Sequence, residues 1–275
     1  MRGDNISCRG FRSSGVAIAG TLLLVVLTAA KLMGQAPTDR AWKMLKAGAS
    51  STSTETRVKA IRALEVMGKN ALAEQIAISA LKDSKPEVRV AAVQTLGSVG
   101  SSAAPPEIRK VVPNGDTELV FAAAAALYKL NDPAAYEIYY AALTKERKSG
   151  EGLVESQMKM LRNPKALAKV GFESGIGFVP FGGIGYGAYK TVTRDDESPV
   201  RAAAALKLAT DKDPKSGEAL AKAASDEKTM VRQAAIAAIA ARGDATLLKA
   251  VTPRMEDKEE VVRFNAAACT IRLSK

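Results

Sequence analysis

The residue types that most often do chemistry are thin in this chain of 275 residues. There is no histidine. That removes Ser-His-Asp and Cys-His nucleophile activation, histidine zinc sites and the commonest general base. Of two cysteines, Cys8 precedes the apolar N-terminal run and is too early for a lipoprotein anchor, while Cys269 stands in an alanine-rich stretch. Cys269 therefore reads as a small packing residue, and the mature chain has no internal disulfide. Glu146, Glu151, Glu155 and Glu173 surround a glycine-rich segment, but no spacing fixes two of them as an acid–base pair. Gly183-Ile184-Gly185-Tyr186-Gly187 has neither the lysine-threonine order of a phosphate loop nor a strand signal before it. These residues predict no enzyme: no catalytic set, no cofactor, no metal and no small-molecule substrate.

One polar spacing does recur. An aspartate stands six residues before an arginine at Asp83/Arg89, Asp195/Arg201, Asp226/Arg232 and Asp257/Arg263. An acid beside a helix N-terminus is favoured, and a nearby arginine can bridge to it. An exposed pair of this kind is worth about 0–1 kcal/mol, so any benefit lies in a linked row.

The elements that must carry those residues form a repeat. Val200-Arg201, Val231-Arg232 and Val262-Arg263 are each 31 residues apart, and Val88-Arg89 is followed 31 residues on by Leu119-Val120. Val58-Lys59 lies 30 before Val88. A period of this length means stacked supersecondary units, each with room for two helices. Val200, Ala204 and Leu208, like Val231, Ala235 and Ile239, recur at helical spacing. Ser198-Pro199 reads as a cap followed by proline at the first helical position, and Asp132-Pro133, Asp213-Pro214 and Gly243-Asp244 read as turns.

With these segments the chain resembles the HEAT-repeat family, in particular the short phycobilisome-lyase HEAT-like repeats. The resemblance covers most of residues 38–275, although Leu119-Val120 lacks the arginine and has Asn114 where the acid would be. It implies an all-α fold, an α-solenoid of about six helix pairs, in which the aspartates and arginines form a ladder along the inter-repeat turns. It also implies a scaffold whose second helices present a concave partner surface. The lyase chemistry is not carried over, since a repeat fold says little about function.

The 31-residue clock stops after Leu119 and restarts at Val200. The expected organisation is therefore a signal peptide or anchor at 1–30, repeats over 38–147, a charged linker with a Gly/aromatic-rich insert over 148–197, and repeats over 198–275. Seven of the 21 glycines lie between Gly171 and Gly187, and all six tyrosines lie between Tyr128 and Tyr189. Three readings of residues 171–190 stay open. One is a buried hairpin or plug, against a wall made by Tyr136, Tyr139 and Tyr140, with glycine allowing close backbone approach. Another is shallow membrane contact, because the uncharged run from Ser174 to Tyr189 is too short to span roughly 30 Å. The third is a docking patch for a partner protein. Under the last two, the contacts are Phe172, Phe178, Pro180, Phe181, Tyr186 and Tyr189.

Arg2, Arg9 and Arg12 precede the apolar run VAIAGTLLLVVLTAA at 16–30. That order is a secretory signal or, uncleaved, an anchor through residues 13–30, and either predicts an exported, periplasmic or extracytoplasmic protein. Net charge is +11, or +9 without residues 1–30. The partner expected is an unidentified protein, an acidic one being favoured by charge, with a membrane surface as the alternative. Export and the lack of a dense arginine-lysine stripe argue against nucleic acid.

Overall fold

The computed structural model describes residues 36–144 and 197–275, and among these every element is helical. In chain order the helices are α1 (Pro37–Ala49), α2 (Thr54–Ala63), α3 (Ala71–Ala80), α4 (Pro86–Val99), α5 (Ala104–Val111), α6 (Thr117–Lys129) and α7 (Ala134–Thr144), then α8 (Ser198–Leu208), α9 (Pro214–Ala223), α10 (Thr229–Arg242), α11 (Leu248–Val251) and α12 (Glu260–Leu273). A 3-10 turn, Leu64–Met67, extends α2, and two more, Ala245–Leu247 and Thr252–Glu256, flank α11. Residues 37–275 form one compact unit.

Local chemistry sets the helix ends. Asn70 Oδ1 accepts from the amides of Leu72 and Ala73 at 3.1 Å, and Asp116 Oδ1 from that of Leu119 at 2.8 Å. Gly100 and Gly243 end α4 and α10 in the left-handed region, at φ 69° and 70°, where glycine carries no Cβ penalty. The expected turns are seen: Asp132 accepts from the Ala134 amide, Asp213 caps α9, and Gly243 ends α10 before Asp244 caps the following turn. The cap of α8 falls one residue earlier than expected, at Glu197, and Ser198 is buried as the first helical residue.

The order of stacking is the main finding. First helices pack side by side as α8, α10, α12, α2, α4, α6. The C-terminal array thus comes first in the row, and its last helix docks on the N-terminal array. A second layer follows the same order: α9, α11 with its turns, α1, α3, α5, α7. So α1, the first described helix, is the second helix of the unit whose first helix is α12. Arg40 of α1 pairs with Glu256 at 3.1 Å on one side, and α1 packs on α3 on the other. Helices α7 and α8, which flank residues 145–196 in sequence, belong to the two extreme units of the row.

Packing explains the docking. A terminal unit of a solenoid needs a polar outer face. Helix α12 has none: Val262, Phe264, Asn265, Ala266, Ala267, Ala268, Cys269, Thr270, Ile271 and Leu273 are all buried. Helix α1 closes on it through Gly48. A Cβ added there would lie 2.5 Å from Phe264 Cζ and 2.8 Å from Ala60 Cβ, so only glycine lets α1 sit against α12 and α2 together.

Candidate functional site

Two features of the described residues are candidates for function, the polar ladder and the aromatic end of the row. The ladder is built on the turns entering the first helices. Arg232 Nη1 donates to the carbonyls of Asp226 at 2.9 Å and Glu227 at 3.0 Å, clamping the turn it follows. Its Nη2 reaches forward to Asp257 Oδ1 of the next unit at 2.8 Å. Arg201 pairs in the same way with Asp226. Each aspartate also accepts from the amide two residues on, Asp226 from Lys228 at 2.9 Å and Asp257 from Glu259 at 3.0 Å. The arginine therefore clamps its own turn by backbone and joins the next unit by charge.

Arg57 makes the same connection, bidentate to Asp83 at 2.8 and 2.9 Å, with Nη1 on the Ser51 carbonyl at 2.9 Å. Sequence reasoning missed it for two reasons. Ser51 stands where the other units have aspartate, and the repeat count aligned Lys59, not Arg57, with the arginine position. Lys59 instead meets Glu55 at 2.7 Å and Glu260 at 3.3 Å. Arg89 and Arg263 clamp their own turns, through the carbonyls of Asp83 and Asp257 at 2.9 Å each. Asp195 lies outside the described residues.

Burial divides the ladder. The Arg232–Asp257 pair has side chains only 4% and 6% exposed, whereas Arg201 is partly open. Burial pushes the Asp257 carboxyl up, but Arg232 and the Glu259 amide outweigh it and hold the group below its ordinary value of 3.8. Asp83 is shifted the same way, with Arg57 and the Lys85 amide overcoming burial. At Cys269 burial outweighs the opposing charge of Arg272 and pushes the thiol up to about 12, which leaves it an inert packing group.

The aromatic end lies on the last unit of the row. Tyr128 of α6 and Tyr136 of α7 meet edge-to-face with centroids 6.0 Å apart. They are 54% and 65% exposed, Leu143 is 82% exposed, and Tyr140 is exposed beside them. Tyr139 is more covered, and burial raises its phenol above the ordinary value. Position 128 is one period after Gly97. A Cβ on Gly97 would stand 2.8 Å from Ala126 Cβ, so glycine there lets α6 pack close on α4. The matching point of α6 carries Tyr128, whose ring fills the space that Gly97 leaves open on α4. Among the described residues no first helix follows α6, and the face it presents is aromatic.

The hollow between the ends of α8 and α10 is lined by Thr210, Asp211, Arg242 and Asp244. Most of its polar groups are used in local structure, while Arg242 Nη1 is buried without a hydrogen-bond partner. Asp211 accepts from the Ser216 hydroxyl, Asp244 from the Thr246 amide, and Arg242 donates to the Asp213 carbonyl at 2.8 Å. No helix among the described residues is long and apolar enough to cross a membrane. Phe172, Phe178, Pro180, Phe181, Tyr186 and Tyr189, and with them the insert, lie outside the described residues.

The chain is similar to solved helical-repeat structures at low identity. With the complex of CpcE and CpcF of phycocyanin lyase from Nostoc sp. PCC7120 it shares 19% identity over 97% of this chain and 100% of that chain, with TM-score 0.36. With human deoxyhypusine hydroxylase the values are 16%, 85%, 84% and 0.32, and with a designed armadillo repeat protein 16%, 84%, 98% and 0.25. No curated protein matches the chain. The family model for HEAT repeats matches residues 74–150 and 189–269, more than half of the sequence. With its stacked helix pairs and 31-residue period, the chain belongs to the HEAT-repeat family.

Proposed function

We propose that this protein is a non-catalytic, exported scaffold that binds a partner protein at the aromatic end of its row. The observation that carries the reading is the face formed by Tyr128, Tyr136 and Leu143. Exposed aromatic and apolar clusters mark contact sites, because tyrosine supplies a large area with few rotamers to immobilise. Tyr128 fills the space that glycine leaves open at the matching point of α4, so the face offers a partner an aromatic surface in place of a close helix seat. The glycine-rich residues that follow in sequence extend the same chemistry, with Phe172, Phe178, Pro180, Phe181, Tyr186 and Tyr189 as the contacts proposed there. Export rests on the basic stretch and apolar run of residues 1–30. The net charge of +11 favours an acidic partner.

The test is affinity purification of the full chain from its native envelope, beside a Tyr128→Asp/Tyr136→Asp variant. One dominant partner recovered without lipid, and lost in the variant while its helical signal is kept, supports the scaffold. Equal recovery with both chains removes the aromatic end from the reading.

A second reading, a membrane-associated envelope or assembly factor, is favoured by the uncharged run at 174–189 and by residues 13–30. Vesicle flotation of the full chain and of Phe178→Asp/Phe181→Asp, at about 0.15 M and about 1 M salt, separates its forms, since salt screens surface attraction but not apolar insertion. Flotation that resists salt and is lost in the variant assigns lipid contact to the insert. Flotation that persists in the variant assigns it to the N-terminal helix.

A further inference from the structure

The other end of the row differs from the aromatic one. In α8 the residues turned toward α10 and α9, Ser198, Ala202 and Ala205, are buried, and the opposite face, Val200, Ala203, Ala204 and Lys207, is exposed. By the 31-residue repeat, that outer face corresponds to the face of α10 that receives α8. There the counterparts Val231, Ala234 and Ala235 are 2%, 0% and 0% exposed, whereas Val200 is 71% exposed. A terminal helix ordinarily carries polar residues at such positions. Helix α8 keeps interior ones.

The polar residues that border this face name its occupant. Glu197 and Lys207 are both exposed and lie ten residues apart, so their charges sit about 15 Å apart along the helix. A second α8 laid antiparallel sets each Glu197 against the other copy's Lys207, twice over, with a two-fold axis near Ala203. Alanine at 203 and 204 permits helix axes near the short end of the usual 8–10 Å range. A parallel arrangement would oppose like charges.

We propose that this outer face of α8 is a self-association surface, and that two copies of this chain meet there in an isologous, antiparallel helix pair. A single helix pair buries less than the roughly 1,600 Å² of a standard interface, so the dimer is weak and forms at micromolar concentration or on a crowded surface. This goes beyond the scaffold reading, since it places the aromatic ends of two copies on the outside of one assembly.

The test uses the full chain carrying Cys8→Ser, in which Cys269 is buried. Ala203→Cys, next to the axis, should cross-link to itself under mild oxidation and give a dimer on a non-reducing gel. Lys207→Cys alone should not, but Lys207→Cys mixed with Glu197→Cys should. Val200→Asp added to Ala203→Cys should lower the dimer yield at least tenfold. Glu197→Lys should lower it less, and Glu197→Lys/Lys207→Glu should restore it. Two results overturn the proposal. If Ala203→Cys stays monomeric and reacts rapidly with a maleimide, the face is open and unpaired. If it stays monomeric and is protected, the chain's own residues or another protein cover it. Dimer yields are compared only between chains that keep the parent's helical signal and melting temperature, because Glu197 caps α8 and Lys207 lies in its last turn.

Discussion

The seam between α10 and α12 and the seam between α12 and α2 join the same kind of helix by different means. The first links units that follow each other in the chain, and a buried ion pair, Arg232–Asp257, crosses it. The second is made by the two ends of residues 37–275. Here Ser51 stands where the ladder calls for aspartate, and Arg263 clamps only its own turn. The seam is held instead by Phe264 against Gly48 and Ala60, by Arg272 on the Val66 carbonyl at 3.2 Å, and by Glu260 between Thr56 and Lys59. Contiguous repeats can inherit a polar register from each other. A seam between distant segments has to be specified by shape.

Four measurements can break or sharpen that contrast. The largest effect is expected from Phe264→Ala, which empties the packed centre of the terminal seam and should lower the unfolding free energy by about 3–5 kcal/mol in a denaturant titration. A loss below about 1 kcal/mol would mean that the seam contributes little to stability. Arg232→Ala leaves Asp257 buried without its partner, and a cost of about 3–5 kcal/mol is the upper expectation for a broken buried pair. An unchanged melting curve would remove the ladder argument.

Third comes pH. The Asp257 and Asp83 carboxyls are held below 3.8 in the folded protein, so the unfolded chain binds protons more readily. Their stabilisation is complete above the unfolded value and is lost as pH falls through the folded one. Melting temperature should therefore drop below about pH 4 in the parent chain. In Asp257→Asn the drop should be shallower, and equal slopes would break the assignment. The smallest effect is expected from Glu260→Gln, whose partly exposed contacts with Thr56 and Lys59 are worth about 0–1 kcal/mol. A cost as large as that of Arg232→Ala would erase the distinction between a seam held by charge and one held by packing.

Much of the array was legible from spacing. The Val-Arg pairs at 200, 231 and 262 marked three first helices, and the Asp-Pro and Gly-Asp steps marked turns, because helix faces and caps are local and repeat with the chain. The ladder was legible as a residue pattern but not as a set of partners. An arginine's nearest aspartate in sequence supplies its backbone carbonyl, and its carboxylate partner is 25 or 26 residues ahead. Arg57 escaped notice because Ser51 broke the motif, although its side chain makes the same contact.

By itself, the sequence determined the helical class, the 31-residue unit, the alanine-built first helices and the absence of histidine chemistry. Each of these depends on residue type and on spacing within one or two units. Only the tertiary structure decided which unit is next to which. Periodicity is blind to a change in stacking order, since every first helix carries nearly the same pattern. That α12 receives α1 and α2, leaving α8 and the α6–α7 unit as the two ends of the row among the described residues, followed from where apolar surface could be covered. The weak signs were already present: a C-terminal helix with no polar face, and a first helix without a partner before it.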